Sequence, residues 1–183
     1  EFKSGQSILI QGASTGVGIM GMQMGKHLGA SLVIGTSTNA DRRARLGEFG
    51  ADLALDSSDP GWVDQVLEAT DGKGVDLIID QISGSIFNQT MAATKIHGRI
   101  VNVGRLGGEN AEFDFNMLAE RRLTYIGTTG RTRSLEEHAE VFRSAKADLW
   151  DAMEAGVFKM PIDSTFDLSE ASAALERSAA NKH

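Results

Sequence analysis

Apolar residues in this chain fall into short unbroken runs separated by stretches of helical periodicity. The first run, Ser7–Gln11, is apolar at consecutive positions, which predicts a parallel strand covered on both faces. Beyond a turn bearing Gly12, Gly16 and Gly18, the residues Val17, Met20, Gly21, Met24 and Leu28 recur at helical spacing and predict one apolar helix face. The alternation continues. Residues 31–36 read as a second strand, 40–49 as a helix closed by Gly50, 52–56 as a third strand, and 62–69 as a helix opened by Asp59-Pro60-Gly61. Trp62 reads as packing. A turn over 71–74 leads into a strand at Val75–Asp80, a helix over 85–94 and a fifth strand over 98–104. A glycine-rich, acidic loop over 105–115, a short helix near 116–120 and a sixth strand over 123–128 follow. A capping box from Ser134 to Glu137 starts a helix to about Gly156, and the tail predicts a strand over 162–166 and a helix over 169–179.

Strands alternating with helices at this spacing predict an α/β fold: a doubly wound, parallel six-stranded Rossmann sheet with helices on both faces and a C-terminal strand-helix extension. Residues 1–156 form the nucleotide-binding domain in this reading, and 157–183 a C-terminal segment. The chain starts without Met almost on its first strand and stops straight after a helical pattern, so both ends read as cuts in a longer protein.

The handover from first strand to first helix carries the candidate chemistry. Gly12 permits a tight reversal, Gly16 a close approach of backbone to a pyrophosphate, and Gly18 close packing of helix on strand. The first N–H groups of the helix are left pointing at the turn, where they favour an anion. Gly21 and Gly25 each cost about 1 kcal/mol against Ala in a helix interior, which close packing would offset. A G-x-x-x-G-x-G placed between a buried strand and an amphipathic helix implies a dinucleotide; a glycine turn without a ligand is the alternative.

The end of the second strand bears on which dinucleotide. Thr36-Ser37-Thr38-Asn39-Ala40 has no acid at the place, about 20 residues past the turn, where an Asp or Glu would hold an unphosphorylated adenosine ribose. Donors from Thr36, Ser37 and Asn39 with the guanidinium of Arg42 suit a 2′-phosphate, pointing to NADP(H) over NAD(H). Asp41 counts the other way unless it serves the helix N-terminus. Gln81-Ile82-Ser83-Gly84 and Gly104 leave the carboxyl ends of the fourth and fifth strands, the edge where open α/β sheets bind ligands. Arg131 and Arg133 follow the sixth strand, Arg131 as a further coenzyme candidate, with solvated loop charge as the alternative.

Charge and composition narrow the partners. Among 183 residues, 18 Lys and Arg stand against 25 Asp and Glu, a net charge of −7 with the basic residues scattered, which argues against nucleic acid. The absence of cysteine excludes disulfides and thiolate metal ligands, and His27, His97, His138 and His183 have no metal-site spacing, so no metal is expected. No stretch approaches the ~20 apolar residues that span a bilayer and none resembles a secretion signal; no membrane partner and a cytoplasmic location are expected.

A set of short words now comes together: Gly12-Ala13-Ser14-Thr15-Gly16-Val17-Gly18, Leu28-Gly29-Ala30, Gly50-Ala51-Asp52, Gly72-Lys73-Gly74-Val75-Asp76, Gly98-Arg99-Ile100-Val101, and Gly127-Thr128-Thr129 with Arg131-Thr132-Arg133-Ser134. In this order, and over nearly the whole chain, they resemble the cofactor-binding half of the quinone oxidoreductase branch of the medium-chain dehydrogenase/reductase superfamily. The resemblance implies a zinc-independent, NADPH-dependent reductase of quinones or other activated alkenes and carbonyls. By matching position it places Ser14, Thr15, Gly16 and Val17 at the pyrophosphate and Asn39 and Arg42 at the 2′-phosphate. Ile82, Val103, Gly104 and Arg105 would line the adenosine and nicotinamide path. It also implies a homodimer joined along the sixth strand, a GroES-like catalytic domain before residue 1 and a closing strand after His183. The chain departs from the family at Ala13, at Ser57, and at Gln81-Ile82-Ser83-Gly84, where Pro-Val-Gly-Gly is usual.

No catalytic residue is assigned. Asp80 lies near the crevice but reads as a backbone anchor, and the resemblance accounts for this, since the coenzyme supplies the hydride and the protein positions it. Residues 1–183 alone are therefore expected to bind NADPH and to turn over poorly or not at all. Two other readings stand beside this one. A short-chain dehydrogenase fits the glycine pattern but needs a Tyr with a Lys four positions later, whereas Tyr125 is followed by Thr129. A non-catalytic NADP-binding or sensing module is the other.

Overall fold

Strands apolar at every position fold only where both faces are covered, and the computed structural model, which describes residues 2–180, meets that condition with one parallel sheet. The strands are β1 (Ser7–Gln11), β2 (Leu32–Thr36), β3 (Leu53–Leu55), β4 (Val75–Asp80), β5 (Thr94–Asn102) and β6 (Thr124–Gly127), in the order β3-β2-β1-β4-β5-β6. The helices are α1 (Gly16–His27), α2 (Ala40–Ala44), α3 (Trp62–Glu68), α4 (Phe87–Ala92), α5 (Phe115–Glu120), α6 (Leu135–Glu154) and α7 (Ala171–Ala179). Successive residues of β1 divide between two cores. Leu9 joins Ile34, Trp62, Val66, Ile78, Met91 and Ile100 on one face, while Ile8 and Ile10 join Ile19, Met22, Val33 and Leu46 on the other. Trp62 is fully buried, as its packing role requires, and its indole N–H reaches Gln89 Oε1 at 3.2 Å. At the amino edge, Asp76 accepts from the N–H and hydroxyl of Ser7 and from Lys95, each at 2.9 Å. Burial pushes the Asp76 carboxyl up, but these donors outweigh it and hold the pKa below the ordinary carboxylate range.

Strand order reverses between β1 and β4, so the chain leaves β1 toward one side of the sheet and β4 toward the other. This opens a crevice at their carboxyl ends, the place where folds of this kind take ligands.

Several elements differ from the sequence reading. The stripe of α1 against the sheet is Gly18, Ile19, Met22 and Gly25, and Val17 is 55% exposed. The glycines set this rotation: a Cβ at Gly21 would stand 3.3 Å from Ile10 Cδ1, and one at Gly25 3.3 Å from Ile8 Cγ2. Close packing at both is what the sequence anticipated. The helix expected over 40–49 breaks after Ala44 into a 3-10 turn, Leu46–Phe49, closed by Gly50 at φ 96°. β5 begins at Thr94 because Val75 pairs with Thr94 but Leu77 with Arg99, and the extra residues bulge through His97 at φ 63°. The strand expected over 162–166 does not form, since strand geometry persists only when its backbone groups are paired and this segment has no neighbour in the sheet. The C-terminal extension is instead an irregular stretch, a 3-10 turn at Leu168–Glu170, and α7.

Gly18 is the tightest contact of α1. A Cβ there would lie 2.6 Å from the Cα and O of Ala13, which is backbone and cannot swing aside, whereas a Cβ at Gly47 meets nothing within 4 Å. Gly18→Ala should therefore lower stability by about 1–3 kcal/mol and Gly47→Ala should leave it unchanged or raise it slightly. Denaturant titration of the two variants beside the parent checks the difference.

Candidate functional site

Behind the crevice the strands are apolar, but their last residues are polar and bonded to one another. Gly12 leaves β1 at φ 72°, a conformation that needs glycine, and the chain turns back over β2. Gly12 N donates to Thr36 Oγ1 at 3.2 Å, Ala13 N to Thr36 O at 2.8 Å, and Thr15 N to Gly12 O at 3.1 Å. α1 then starts beneath Thr15, whose hydroxyl accepts from Gly18 N at 3.0 Å. The N–H groups of Ser14, Gly16 and Val17 meet no acceptor among the described residues, and Gly16 and Val17 are exposed. Outward donors among small residues at the positive end of a helix fit a diphosphate.

The adenosine end follows from β2. Thr36 is fully buried, its hydroxyl donating to Gln11 Oε1 at 2.6 Å, so it supports the turn from behind and presents no group to a ligand. Ser37 Oγ lies 3.1 Å from Ser14 Oγ, which ties the two stretches expected at the coenzyme. Asn39 caps α2 by accepting from Arg42 N at 2.9 Å. Arg43 turns back onto Ser37 O at 2.7 Å and Asp56 at 2.9 Å, a structural ion pair, while Arg42 stands half-buried on the first turn of α2 beside the end of β2.

Across the crevice, the ends of β4 and β5 are laced together. The buried carboxylate of Asp80 accepts from Ile82 N and Ser83 N, both at 2.9 Å, and from Ser83 Oγ at 3.1 Å. Its carbonyl accepts from Val103 N and Gly104 N at 2.8 and 3.1 Å. Asn102 Nδ2 donates to Ser83 Oγ at 2.5 Å, and the single Ser83 hydroxyl proton is shared between Asp80 Oδ2 and Gly104 O, the latter at 3.0 Å. Ser83 sits at φ 54°, ψ −141°, a strained conformation for a residue with a side chain, and it occupies a position where the resembled family has glycine. The anchoring role expected of Asp80 is thus visible in its partners. Ile82 Cδ1 would stand 3.1 Å from a Cβ at Gly12, which brings Ile82 to the glycine turn. Val103 and Gly104 line the same edge, and Arg105 is exposed beyond them.

Arg131 does not join this group. It lies past β6, three strand positions or about 14 Å from β1, exposed, with its N–H on Thr129 Oγ1. Beyond Arg105 a cavity of about 200 Å³ opens between Ser83, Phe87, Asn102, Phe113 and Tyr125. Burial pushes the Tyr125 phenol up, the Asp80 charge adds to this, and Arg105 opposes it.

Residues 16–147 match the family described as zinc-binding dehydrogenase. This chain belongs to that family. The quinone oxidoreductase of Pseudomonas aeruginosa is 26% identical over 182 residues, covering all of this chain and 55% of that protein. The 2-haloacrylate reductase of a Burkholderia species is 28% identical over 173 residues, covering 94% of this chain and 51% of that protein. A mycobacterial protein solved in complex with NADPH superposes with a TM-score of 0.81 at 26% identity, covering 99% of this chain and 55% of that one. The chain spans about half the length of the curated relatives it matches. Family and architecture agree with the resemblance read from the sequence: a quinone oxidoreductase-like, nucleotide-binding domain of the medium-chain superfamily.

Sequence reasoning gives Gln11 no role and places Gln81 only at the ligand edge, as part of a departure from the family, whereas both side chains lie directly beneath the glycine turn. A signal existed. Each is a polar residue at or just past the carboxyl end of an otherwise apolar strand, where only a satisfied hydrogen-bonding role is tolerated. The anchoring by Asp80 has a measurable consequence. Asp80→Ala should cost about 2–4 kcal/mol, because the N–H groups of Ile82 and Ser83 lose their charged acceptor and the Ser83 hydroxyl is left with Gly104 O alone. Chemical denaturation followed by circular dichroism reads that loss.

Proposed function

We propose that this chain is the NADP(H)-binding part of an oxidoreductase that reduces quinones or other activated alkenes and carbonyls. The observation that carries the reading is the outward row of unpartnered N–H groups at Ser14, Gly16 and Val17, set at the switch point beside a β2 end that has no acid. The quinone oxidoreductase and 2-haloacrylate reductase relatives support the acceptor class, and the mycobacterial NADPH complex supports the coenzyme.

When bound, NADPH supplies a hydride to an acceptor with a polarised double bond. The residues of this chain bind and orient. Gly16 and Val17 hold the diphosphate through backbone donors, with the Ser14 hydroxyl beside them. Arg42, on the first turn of α2, meets the 2′-phosphate with Asn39 and Ser37 near it, and Asp41 serves the helix N-terminus. Ile82, Val103, Gly104 and Arg105 form the wall toward the nicotinamide end. The mechanism we favour is zinc-independent, as the resemblance implies, and the sequence has no cysteine thiolate to offer a metal. The substrate wall comes from a further domain, in keeping with relatives nearly twice as long, and residues 157–183 lead toward it. No helix among the described residues is long and apolar enough to cross a membrane.

The coenzyme reading is tested by calorimetric titration. NADPH should bind the parent chain more tightly than NADH, and Arg42→Ala should weaken NADPH by about 1.5–3 kcal/mol while sparing NADH. Steady reduction of a quinone by residues 1–183 alone should be slow or absent. Equal losses for both nucleotides would remove Arg42 from the phosphate, and an absence of NADPH binding at millimolar concentration would remove the function.

A homodimer joined edge to edge along β6 completes the proposal. β6 ends the sheet, all four of its residues are exposed, and Tyr125 and Ile126 remain 44% and 41% accessible. Sedimentation velocity should give a dimer for the parent and a monomer for Ile126→Asp; a parent that sediments as a monomer at high micromolar concentration would remove the dimer.

A further inference from the structure

Gln81 follows β4, yet its side chain is spent entirely on the glycine turn after β1. Its Nε2 donates to Gln11 O at 3.2 Å and to Gly12 O at 3.3 Å. Its Oε1 accepts from the hydroxyl of Thr15 at 2.8 Å. That hydroxyl also accepts from Gly18 N, so both functions of the Thr15 oxygen are used within the protein. Gln81 is 5% exposed, and its amide lies behind the turn with both ends bonded to it.

The consequence concerns which groups are left to face the diphosphate. A Thr15 hydroxyl without Gln81 could rotate toward the mouth and drop its bond to Gly18 N, releasing the first turn of α1. With Gln81 in place the hydroxyl is held inward as a helix cap, and the donors that remain outward are the N–H groups of Ser14, Gly16 and Val17. The same amide fixes the carbonyl of Gly12, the residue whose positive φ starts the reversal. Proline, usual at this place in the resembled family, has no side-chain group able to do either.

We infer that Gln81 is a positioning residue for the diphosphate: by locking the Thr15 hydroxyl and the Gly12 carbonyl from the β4 side, it presets the donors at the start of α1. The inference rests on the coenzyme reading given above. Because the diphosphate is common to both coenzymes, Gln81 acts on NADPH and NADH alike, unlike Arg42.

Binding measured by calorimetry, at a temperature where circular dichroism shows each variant fully folded, tests this. Gln81→Leu should raise the Kd of both NADPH and NADH about tenfold, leaving their ratio as in the parent. Thr15→Val should reproduce the loss, and Thr15→Ser, which keeps the hydroxyl, should restore parental affinity. Combining Gln81→Leu with Thr15→Val should add little to either alone, since both break one linkage. A residue that only stabilised the fold would lower the melting temperature without this coupling in affinity. Should Gln81→Leu not fold, Gln81→Met and the two Thr15 variants carry the same comparison. Parental Kd in folded Gln81→Leu or Gln81→Met, or losses that multiply with Thr15→Val, would overturn the inference while leaving NADPH binding intact. Failure of the parent to bind either coenzyme would overturn the function and the inference with it.

Discussion

The close approach of Gly18 to the backbone of Ala13 fixes where α1 begins, and most of the site follows from that one contact. With no side chain at 18, the first turn of the helix settles directly on the reversal after β1, and its leading N–H groups emerge at the mouth of the crevice. A methyl group in that gap would lift the helix away and move those donors with it. Gly21 and Gly25 extend the same close packing along β1, against Ile10 and Ile8. The glycines of this helix serve geometry at the expense of helix propensity, and the buried stripe of Ile19 and Met22 offsets the loss.

Around this contact the structure places polar groups in layers. On the outside are backbone donors and the Ser14 hydroxyl. Directly behind them, Thr15, Thr36, Gln11 and Gln81 form a hydrogen-bonded network with no buried side-chain polar atom left unsatisfied among the described residues. A fully satisfied network of this kind is rigid, since breaking any one bond strands a buried group in a low-dielectric setting. Ser83 is held in its strained backbone by a second network, built from Asp80 and Asn102 at the ends of β4 and β5. The two networks flank the crevice and give it fixed walls on both sides.

The C-terminal part is tied to the site by a thin link. Gln23 on α1 exchanges two bonds with the backbone of Lys159, at 2.8 and 2.7 Å, and His27 packs edge-on against Phe158. Much of α6 and the tail keeps apolar side chains in the open, among them Phe142, Leu135, Ile162 and Leu168. Low burial there contrasts with the nucleotide-binding core, where Leu9, Ile10, Ile34 and Ile78 are wholly enclosed.

The sequence by itself determined the order and kind of the elements up to β6, because unbroken apolar runs and glycine-closed helices report local backbone preferences and two-sided burial. It also exposed the glycine turn, the acid-free end of β2 and the capping box at Ser134, each of which depends on residues adjacent in the chain. Only the tertiary structure decided which face of α1 meets the sheet, since Val17 and Ile19 are equally apolar and the choice is made by glycine contacts with β1. It alone drew Arg43 back to Ser37 and Asp56, and showed Thr36 facing inward. It alone joined Gln81 to Thr15, residues 66 apart in the chain. Pairings across such distances leave no periodic mark, because they depend on two strand ends meeting at the switch point. For the same reason no strand forms over 162–166: the pattern there suits one, but a strand exists only where a neighbour completes its hydrogen bonds.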